Sequence, residues 1–262
     1  MNCMSLNIRS IGEAHKVTWV RRLKIKNQIS FMGIQETQLT NGEDIDVDGC
    51  WDGSEYECAI VHATGRSGGL ISIWDSRLFT ATDVKKSRYY LITIGTWTGM
   101  NRTMVFANIY GPHIQAEKKR LWLELLQLKN EIGGTWIMFG DFNTVRRRDE
   151  RYNSHFCSSS ARHSNKFIEE CGLRDIRMGG HKFTFFCQTD LKLSKLDRFL
   201  VCPNFINNYP SVSVTALPRE LSDHCPILLK TTSPNFGKTS FRFFNSWLNR
   251  EDFPQLIRCS ME

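Results

Sequence analysis

Short β-rich runs recur along this chain, and they constrain its fold more than any other feature of the sequence. The runs are Cys3–Ile8, Ser30–Ile34, Gly69–Trp74, Tyr89–Ile94, Thr103–Ile109, Trp136–Phe139, Phe183–Phe186, Lys195–Val201 and Pro226–Leu229. Turn residues lie close to each of them. The main helical candidates, by the spacing of their apolar residues, are His15–Lys26, Ala116–Ile132 and Arg162–Cys171. Many strands and few helices predict an α+β fold in which two sheets pack face to face, with helices outside.

The length and composition are those of an ordinary globular domain. The 262 residues are enough for one large domain. We predict that it spans residues 1–230, and that residues 231–262 are a linker and the start of a further segment, because a stretch containing Ser, Pro and Gly follows Lys230. No apolar run approaches the roughly 20 residues needed to cross a bilayer. The 9 cysteines include no pair at zinc spacing and are typical of reduced thiols in an intracellular protein.

A net charge of +7 favours a polyanionic partner such as nucleic acid. The basic run Arg146–Arg148 is the best candidate for contact with DNA phosphates, since it closely follows a group of polar residues at 141–143. A second run, Lys118–Arg120, lies on a predicted helix and is expected to form a solvated face.

Polar or acidic residues repeatedly follow the apolar strand candidates. Asn7, Glu36, Asp141 and the pair Asp223-His224 all stand next to such runs. Rigid sheets aim side chains from their ends and loops at a common point. This pattern predicts a functional site at one end of the sheets.

Two interpretations of Gly140-Asp141-Phe142-Asn143 are open. In an extended segment Asp141 and Asn143 point to the same side, where a carboxylate and an amide can orient a water and hold a phosphate oxygen. Alternatively, the tetrapeptide is an Asx-turn that ends a buried strand. Taken alone, the segment slightly favours the Asx-turn.

Glu36 follows an apolar strand candidate and needs a cationic partner if that strand ends in the interior. Magnesium is a natural partner, because it binds one or two carboxylates together with waters and substrate phosphates. A surface Glu that opens a loop is the alternative. Asn7 is either a further ligand or a partner for backbone groups.

Asp223-His224 precedes the last apolar run. Such a histidine can bind a phosphoryl oxygen while a second carboxylate fixes its tautomer, and Asp197 is the candidate for that carboxylate.

Taken together, these segments resemble the endonuclease/exonuclease/phosphatase (DNase I-like) superfamily. The resemblance is carried by the order of Asn7, Gln35-Glu36-Thr37, Asn108-Ile109-Tyr110-Gly111-Pro112, Gly140-Asp141-Phe142-Asn143, Lys195-Leu196-Asp197-Arg198-Phe199-Leu200-Val201 and Ser222-Asp223-His224. Leu6 and Ser10 depart from it, since many relatives have Trp and Gly there. Within the superfamily, the segments Gly65–Gly69 followed by Ile73-Trp74-Asp75, and Phe241–Trp247, resemble endonuclease domains of plant LINE-type (non-LTR) retrotransposons.

The resemblance implies a four-layer α/β/β/α sandwich and Mg²⁺-dependent nicking of one DNA strand, which leaves a 3′-hydroxyl for reverse transcription; Mn²⁺ is a possible substitute for Mg²⁺. The resemblance implies that Glu36 binds the metal, with Asn7 and Asp223 completing or supporting the metal site. Asp141 orients and deprotonates the attacking water with help from Asn143. His224, held by Asp197, hydrogen-bonds the phosphate, and Tyr110 assists at the phosphate or the leaving group. The resemblance also implies a nuclear protein with a downstream reverse transcriptase. Two alternatives stay open: a phosphoesterase acting on a small or lipid phosphoester, and a catalytically silent nucleic-acid-binding remnant of a transposon.

Overall fold

The protein is built mainly from β-strands. The computed structural model describes residues 1–40, 46–65 and 67–232. Within these ranges the strands are β1 (Asn2–Asn7), β2 (Phe31–Gln35), β3 (Tyr56–Val61), β4 (Leu70–Asp75), β5 (Phe79–Ser87), β6 (Tyr90–Trp97), β7 (Thr103–Tyr110), β8 (Thr135–Asp141), β9 (Arg151–Tyr152), β10 (Arg174–Asp175), β11 (Met178–Gly180), β12 (Phe185–Cys187), β13 (Lys192–Ser194), β14 (Asp197–Val201), β15 (Ser213–Ala216) and β16 (Ile227–Lys230). The predicted segment 231–262 lies almost entirely outside the described residues, as does the aromatic run 241–247.

The helices lie close to the predicted positions. They are α1 (Ala14–Asn27), α2 (Val47–Cys50), α3 (Gln115–Glu131), α4 (Ser158–Glu170) and α5 (Pro203–Asn208), with a short 3-10 turn at Arg148–Glu150. The predictions for α1 and α3 are confirmed to within a residue or two. Helix α4 begins four residues before the predicted start, because its first turn is a polar serine run that carries no apolar signal. None of the described helices is long and apolar enough to cross a membrane.

The strands form two large sheets and a small one. The first large sheet has the order β11-β15-β16-β1-β2-β4-β3, and the second has the order β10-β14-β8-β7-β6-β5. The small sheet, β12-β13-β9, stands apart from both. Strands β1 and β2 run parallel, as do β7 and β8, while β14 and β16 are antiparallel to their partners.

The two large sheets pack face to face on an aromatic core. Phe31 of the first sheet stacks on Phe106 of the second, with their ring centroids 4.1 Å apart. Gly33 makes this close approach possible, because a Cβ there would lie 2.2 Å from a ring carbon of Phe139. Burial of these rings away from water is the main source of stability for such a layered core.

Helices cover the outer faces of both sheets. Trp19, Val20 and Leu23 of α1 are buried in a separate apolar cluster with Met4 and Leu6 of β1. On the other side, Trp122 of α3 stacks on Phe167 of α4, with ring centroids 4.9 Å apart. The four-layer sandwich predicted for the chain is therefore confirmed.

Some strands gave no clear signal in the sequence. Strands β3 and β5 lie at the edges of the first and second sheets. Strand β5 carries Asp83, Lys85 and Lys86, residues that protect an edge strand from pairing with another chain. The same charged residues weaken the apolar alternation on which strand prediction depends.

Candidate active site

The ends of several strands meet at one edge of the sandwich. Asn7, Tyr110 and Asp141 are the last residues of β1, β7 and β8. Tyr110 is paired with Asp141 across parallel strands, and Asp141 is paired with Asp197, the first residue of antiparallel β14. Residues distant in the sequence are brought together here by strand register.

His224 is held by Asp197. The ring Nδ1 of His224 lies 2.8 Å from Asp197 Oδ2, and both side chains are buried. The backbone N–H of His224 donates to Ser222 Oγ at 3.1 Å, and this hydroxyl donates to the carbonyl oxygen of Asn7 at 2.7 Å. The arrangement directs the ring Nε2 towards Asp141, whose Oδ2 lies 3.9 Å away.

Asp141 is a buried carboxylate with three polar neighbours. Its Oδ2 accepts from Asn7 Nδ2 at 3.0 Å, and its Oδ1 accepts from the backbone N–H of Asn143 at 2.8 Å. Burial raises the pKa of Asp141, and this effect outweighs the opposing attraction of His224. Burial disfavours the charged form of His224, but the carboxylates of Asp197 and Asp141 outweigh it, so the pKa of His224 is also raised.

The segment after Asp141 is a turn rather than an extended strand. Asn143 has a φ of 51°, and its N–H bond to Asp141 Oδ1 closes an Asx-turn. The extended geometry considered for this tetrapeptide is therefore wrong, yet both polar side chains still line the same cleft. Phe142 holds the turn in place by stacking on Trp122 of α3, with the two ring centroids 6.0 Å apart.

Lys118 supports the same turn from helix α3. It is buried, and its Nζ donates to the carbonyl oxygen of Asn143 at 2.6 Å. The prediction that Lys118–Arg120 forms a solvated face is therefore wrong for Lys118, because the backbone oxygen of the turn provides an acceptor inside the protein.

Glu36 stands on a strained loop directly after β2. Its φ is 55°, and the next residues are held by hydrogen bonds from Thr37 N to Gly69 O at 3.3 Å and from Gln38 N to Gly68 O at 3.0 Å. Gly69 has a φ of 87°, and a Cβ there would lie 2.2 Å from Thr37 Oγ1. The glycines before β4 are thus a structural support for the Glu36 loop.

Tyr110 lies between two carboxylates. Burial, followed by the negative charges of Glu36 and Asp141, raises the pKa of Tyr110 above its usual value. Its phenol therefore stays protonated and can donate a hydrogen bond into the cleft.

Arg9 is a site residue that the sequence analysis missed. Its guanidinium forms an ion pair with Asp223, one of the expected metal residues, and Arg9 also lines the cleft. Arg9 and Ser10 have φ values of 49° and 76°. This left-handed backbone explains why glycine is usual at position 10, since glycine adopts it without strain. Arg9 stands two residues after Asn7 in the sequence, and this spacing is the signal that could have identified it as a site residue.

These residues line a single cleft of about 320 Å³. Glu36, Tyr110, Asp141, Asn143, Asp223 and His224 all contribute to it. Asn7 and Asp197 lie behind its wall as partners of Asp141 and His224. The small sheet forms one side, through Arg151, Phe185, Lys192 and Ser194. His113, which the sequence analysis also missed, lies 3.2 Å from Asn143 Nδ2. The cleft thus joins carboxylates, a paired histidine and several cationic side chains.

Residues 4–224 match the endonuclease/exonuclease/phosphatase family. The match covers most of the chain. This protein belongs to the endonuclease/exonuclease/phosphatase family. The expected superfamily is therefore confirmed, and the polar cleft lies within the matched region.

Several solved structures have the same fold as this chain. A 3′ phosphatase from Neisseria, solved bound to a product DNA hairpin, aligns with a TM-score of 0.67 at 16% identity, covering 88% of this chain and 98% of that one. An AP endonuclease from Leishmania major gives a TM-score of 0.68 at 16% identity, with 87% and 86% covered. An AP endonuclease from Archaeoglobus fulgidus gives 0.68 at 18% identity, with 88% and 98% covered. No curated protein matches the chain.

The resemblance described under Sequence analysis implies a divalent metal, and the oxygen donors of the cleft fit such an ion. Glu36 presents a carboxylate to the cleft, and Asp223 Oδ1 is a buried acceptor that receives no hydrogen bond from the described residues. Within the same described ranges, no three His, Cys, Asp or Glu side chains cluster as a closed metal cage. Hard oxygen donors in small number suit Mg²⁺, which keeps waters and takes phosphate oxygens as further ligands.

The arginine run Arg146–Arg148 lies outside the cleft. Arg146 bonds to Asp175 Oδ2 through NH1 at 2.9 Å and to Asn165 Oδ1 through Nε at 2.8 Å. Arg147 pairs with the exposed Asp149 at 3.2 Å, and the guanidinium of Arg148 lies 5.8 Å from the ring of Phe156. Contact of these arginines with DNA stays a prediction.

Proposed function

We propose that this protein is a Mg²⁺-dependent DNA endonuclease that hydrolyses one phosphodiester bond and leaves a 3′-hydroxyl. One observation carries the proposal. Asn7, Asp141, His224 and Asp197 form a continuous polar chain, with spacings of 3.0, 3.9 and 2.8 Å, along the wall of a cleft that also presents Glu36 and Tyr110.

Asp141 is the proposed general base. Its two carboxylate oxygens are oriented by Asn7 and by the backbone of Asn143, so the group is held in one position. Its raised pKa makes it a better proton acceptor than an ordinary aspartate. It takes a proton from the attacking water as the new bond to phosphorus forms and the bond to the 3′ oxygen breaks, and the Asn143 side chain helps to orient that water.

His224 and Tyr110 are the proposed partners of the phosphate. With its pKa raised by Asp197, His224 carries a proton at neutral pH and donates to a phosphate oxygen as negative charge builds there. The phenol of Tyr110 donates at the phosphate or at the leaving oxygen, which takes up a proton when the bond breaks. Such preorganised donors are commonly a large part of catalysis.

Glu36 and Asp223 would hold Mg²⁺, and Asn7, whose Oδ1 accepts from the backbone N–H of Arg9 at 3.2 Å, would support the metal site from behind the wall of the cleft. When bound, the ion would withdraw charge from the phosphate and orient it for attack. Mn²⁺ uses the same oxygen donors and is expected to substitute for it. Arg9 neutralises the second oxygen of Asp223, so that the carboxylates of the cleft do not repel the substrate.

DNA is the proposed substrate because the cleft is open and partly cationic. Arg9, Arg151 and Lys192 line it together with the acidic residues. The Neisseria relative, which shares this fold, was solved with a DNA product. A phosphate group in a duplex backbone fits such a site, and the net charge of +7 favours binding of a polyanion.

We further propose that the domain comes from a LINE-type element, acts in the nucleus and works with a reverse transcriptase encoded downstream. The resemblance of Gly65–Gly69 and Phe241–Trp247 to plant LINE endonucleases supports this. The test is the nucleotide sequence after the codon for Glu262. An open frame that encodes a polymerase is the expected result, and an unrelated frame there would contradict the proposal.

The activity is tested on supercoiled plasmid with purified protein. We expect nicking with Mg²⁺, its loss with EDTA, and 3′ ends that a polymerase extends without prior phosphatase treatment. His224→Ala should reduce nicking by about 100-fold or more. His62→Ala, which alters an exposed histidine away from the cleft, is the matched control. Equal background nicking by wild type and His224→Ala contradicts the proposal. A phosphoinositide assay run in parallel tests for a small or lipid phosphoester as the substrate.

A further inference from the structure

A second cavity lies behind one wall of the catalytic cleft. It has a volume of about 590 Å³, and Arg146, Arg147, Arg177, Lys195, Glu150 and Asp175 line it. We refer to this cavity as the basic pocket. Ser194 and Leu196 face the cleft while Lys195 faces the basic pocket, so the two cavities share a backbone wall. In the same way, Glu150 lines the basic pocket and the next residue, Arg151, lines the cleft.

The two carboxylates of the basic pocket are already neutralised by arginines. Arg198, whose side chain is 1% exposed, bonds to Glu150 Oε2 at 2.6 Å and to Asp175 Oδ2 at 2.9 Å. Arg146 bonds to the same Asp175 oxygen at 2.9 Å. The remaining cations of the pocket therefore keep an excess of positive charge.

Lys195 is the least exposed of these remaining cations. Its side chain is 15% exposed, and the nearest carboxylate oxygen, Asp175 Oδ1, is 4.0 Å from Nζ. The described residues supply no hydrogen bond to this ammonium. A charged group that is largely removed from water is costly without a hydrogen-bonding partner. Burial accordingly lowers the pKa of Lys195.

Arg177 is a second cation of the basic pocket. It is exposed and lines the same pocket, and within the described ranges it has no ion-pair partner. A guanidinium that presents a planar fork and an ammonium that acts as a point charge are the two usual groups that bind phosphate. Together they match a tetrahedral anion carrying at least one negative charge.

We infer that the basic pocket binds a backbone phosphate of the DNA strand, at a position other than the scissile one. This inference rests on the proposed function, because it identifies a second anchoring point for the same substrate. The side chain of Lys195 lines the basic pocket, and its chain neighbours Ser194 and Leu196 line the cleft, so a phosphate bound to Lys195 also fixes the distance between the DNA and the cleft. Free inorganic phosphate has the same chemistry, and the experiment distinguishes it from DNA as the ligand of the pocket.

The experiment compares two double variants with equal loss of charge. Lys195→Met with Arg177→Gln removes the pocket cations, and Lys26→Met with Arg21→Gln removes two exposed cations of helix α1 as the control. DNA binding is measured in EDTA over a range of salt concentrations. The slope of log K against log salt should fall by about 0.9 for each lost phosphate contact in the pocket variant. The control slope should be unchanged.

Kinetics separate this site from the chemical step. On plasmid or a long duplex, the pocket variant should raise KM about 10-fold and leave kcat within twofold of wild type. On thymidine 5′-p-nitrophenyl phosphate, which is too small to reach both cavities, it should act like wild type. An equal loss on this small substrate overturns the inference, because the residues would then serve the cleft itself.

The outcomes distinguish the two proposals. Suppose that wild type nicks DNA but the slope of log K against log salt is the same for the pocket variant and the control. The inference of a second phosphate site is then wrong, and the proposed endonuclease activity is supported. If wild type does not nick DNA although the slope falls as expected, the site stands and the endonuclease does not. If millimolar inorganic phosphate raises the Tm of wild type but not of the pocket variant, while the DNA slope is unchanged, the pocket binds free phosphate and its assignment to DNA is overturned.

Discussion

Asn7 donates a hydrogen bond of 3.0 Å to Asp141, although the two residues are 134 positions apart in the chain. Asn7 ends a strand of the first sheet and Asp141 ends a strand of the second. The bond therefore crosses the interface between the sheets. The orientation of the proposed base depends on how the two sheets pack.

Replacing Asn7 by Asp should disable the base while keeping the shape of the side chain. A second buried carboxylate removes the hydrogen bond from Nδ2 and raises the pKa of Asp141 further. We expect nicking at neutral pH to fall by about 100-fold or more. The acidic limb of the pH–rate profile should also move to higher pH. An unchanged profile contradicts the assignment of Asp141 as base.

Replacing Asp197 by Asn should affect His224 in the opposite sense. The Asp197 charge favours the protonated ring, so its loss lowers the pKa of His224. The alkaline limb of the pH–rate profile should move to lower pH, and kcat should fall by about 100-fold. A histidine titration followed by NMR checks the shift directly. A His224 pKa equal to that of wild type would mean that Asp197 has no electrostatic role.

Gly69→Ala should displace the Glu36 loop. The new methyl would lie 2.2 Å from Thr37 Oγ1, in addition to the strain of a φ of 87°. Gly99→Ala is the matched control, because Gly99 has a φ of 80° but open space around it. Both should lose about 1 kcal/mol of stability to backbone strain. Only Gly69→Ala should nick DNA more slowly and need a higher Mg²⁺ concentration for half-maximal nicking. Equal activity of the two variants would rule out this role for the loop contact.

Lys16→Met tests how the loop that carries Arg9 is held. Lys16 Nζ donates to the carbonyl oxygens of residues 8, 9 and 10, at 3.2, 2.8 and 3.0 Å. The N–H of Ser10 in turn donates to the carbonyl oxygen of Glu36 at 2.8 Å. Loss of the ammonium should misplace this loop and lower kcat by roughly 10- to 100-fold. Isothermal titration should show weaker Mg²⁺ binding.

The exposed Lys119→Met on α3 is the control for Lys16→Met. If Lys16 served stability alone, its variant would regain full kcat and Mg²⁺ affinity at low temperature. That result would contradict a positioning role.

Glu150→Gln should weaken the fold in a pH-dependent way. Burial raises the pKa of Glu150, but its bonds to Arg198 outweigh this, and the net pKa lies below the usual value. The stabilisation is therefore present above the unfolded pKa, near 4.5, and is lost as pH falls through the lower folded pKa. At pH 7 the variant should lose about 3 kcal/mol, the typical cost of breaking a buried ion pair.

Urea unfolding at several pH values checks the Glu150 prediction. The difference between wild type and Glu150→Gln should narrow below about pH 4.5. A difference that is constant with pH would show that the ion pair is not its source.

The local pattern of the sequence determined the individual elements and the residue types of the site. Strands β1, β2, β7 and β8 were predicted because their apolar runs are buried and continuous, and Asn7, Glu36, Asp141 and His224 were selected because they stand next to such runs. Edge strands such as β5 were missed because exposed charged residues hide the alternation. Lys118 was misjudged because a basic side chain looks alike in sequence whether it is solvated or bonded inside the protein, and Arg9 was missed because its ion pair with Asp223 joins distant parts of the chain.

Only the tertiary structure decided which of these residues lie together. The bond from Asn7 to Asp141 and the distance from His224 to Asp141 depend on strand register and on the packing of two sheets. Those contacts join residues 134 and 83 positions apart, and no local spacing encodes such separations. The surroundings of Lys195 were likewise set by packing, because its neighbours Arg177 and Asp175 come from a different part of the chain. Local propensities specify the pieces, whereas the site arises from the long-range burial that brings the pieces together.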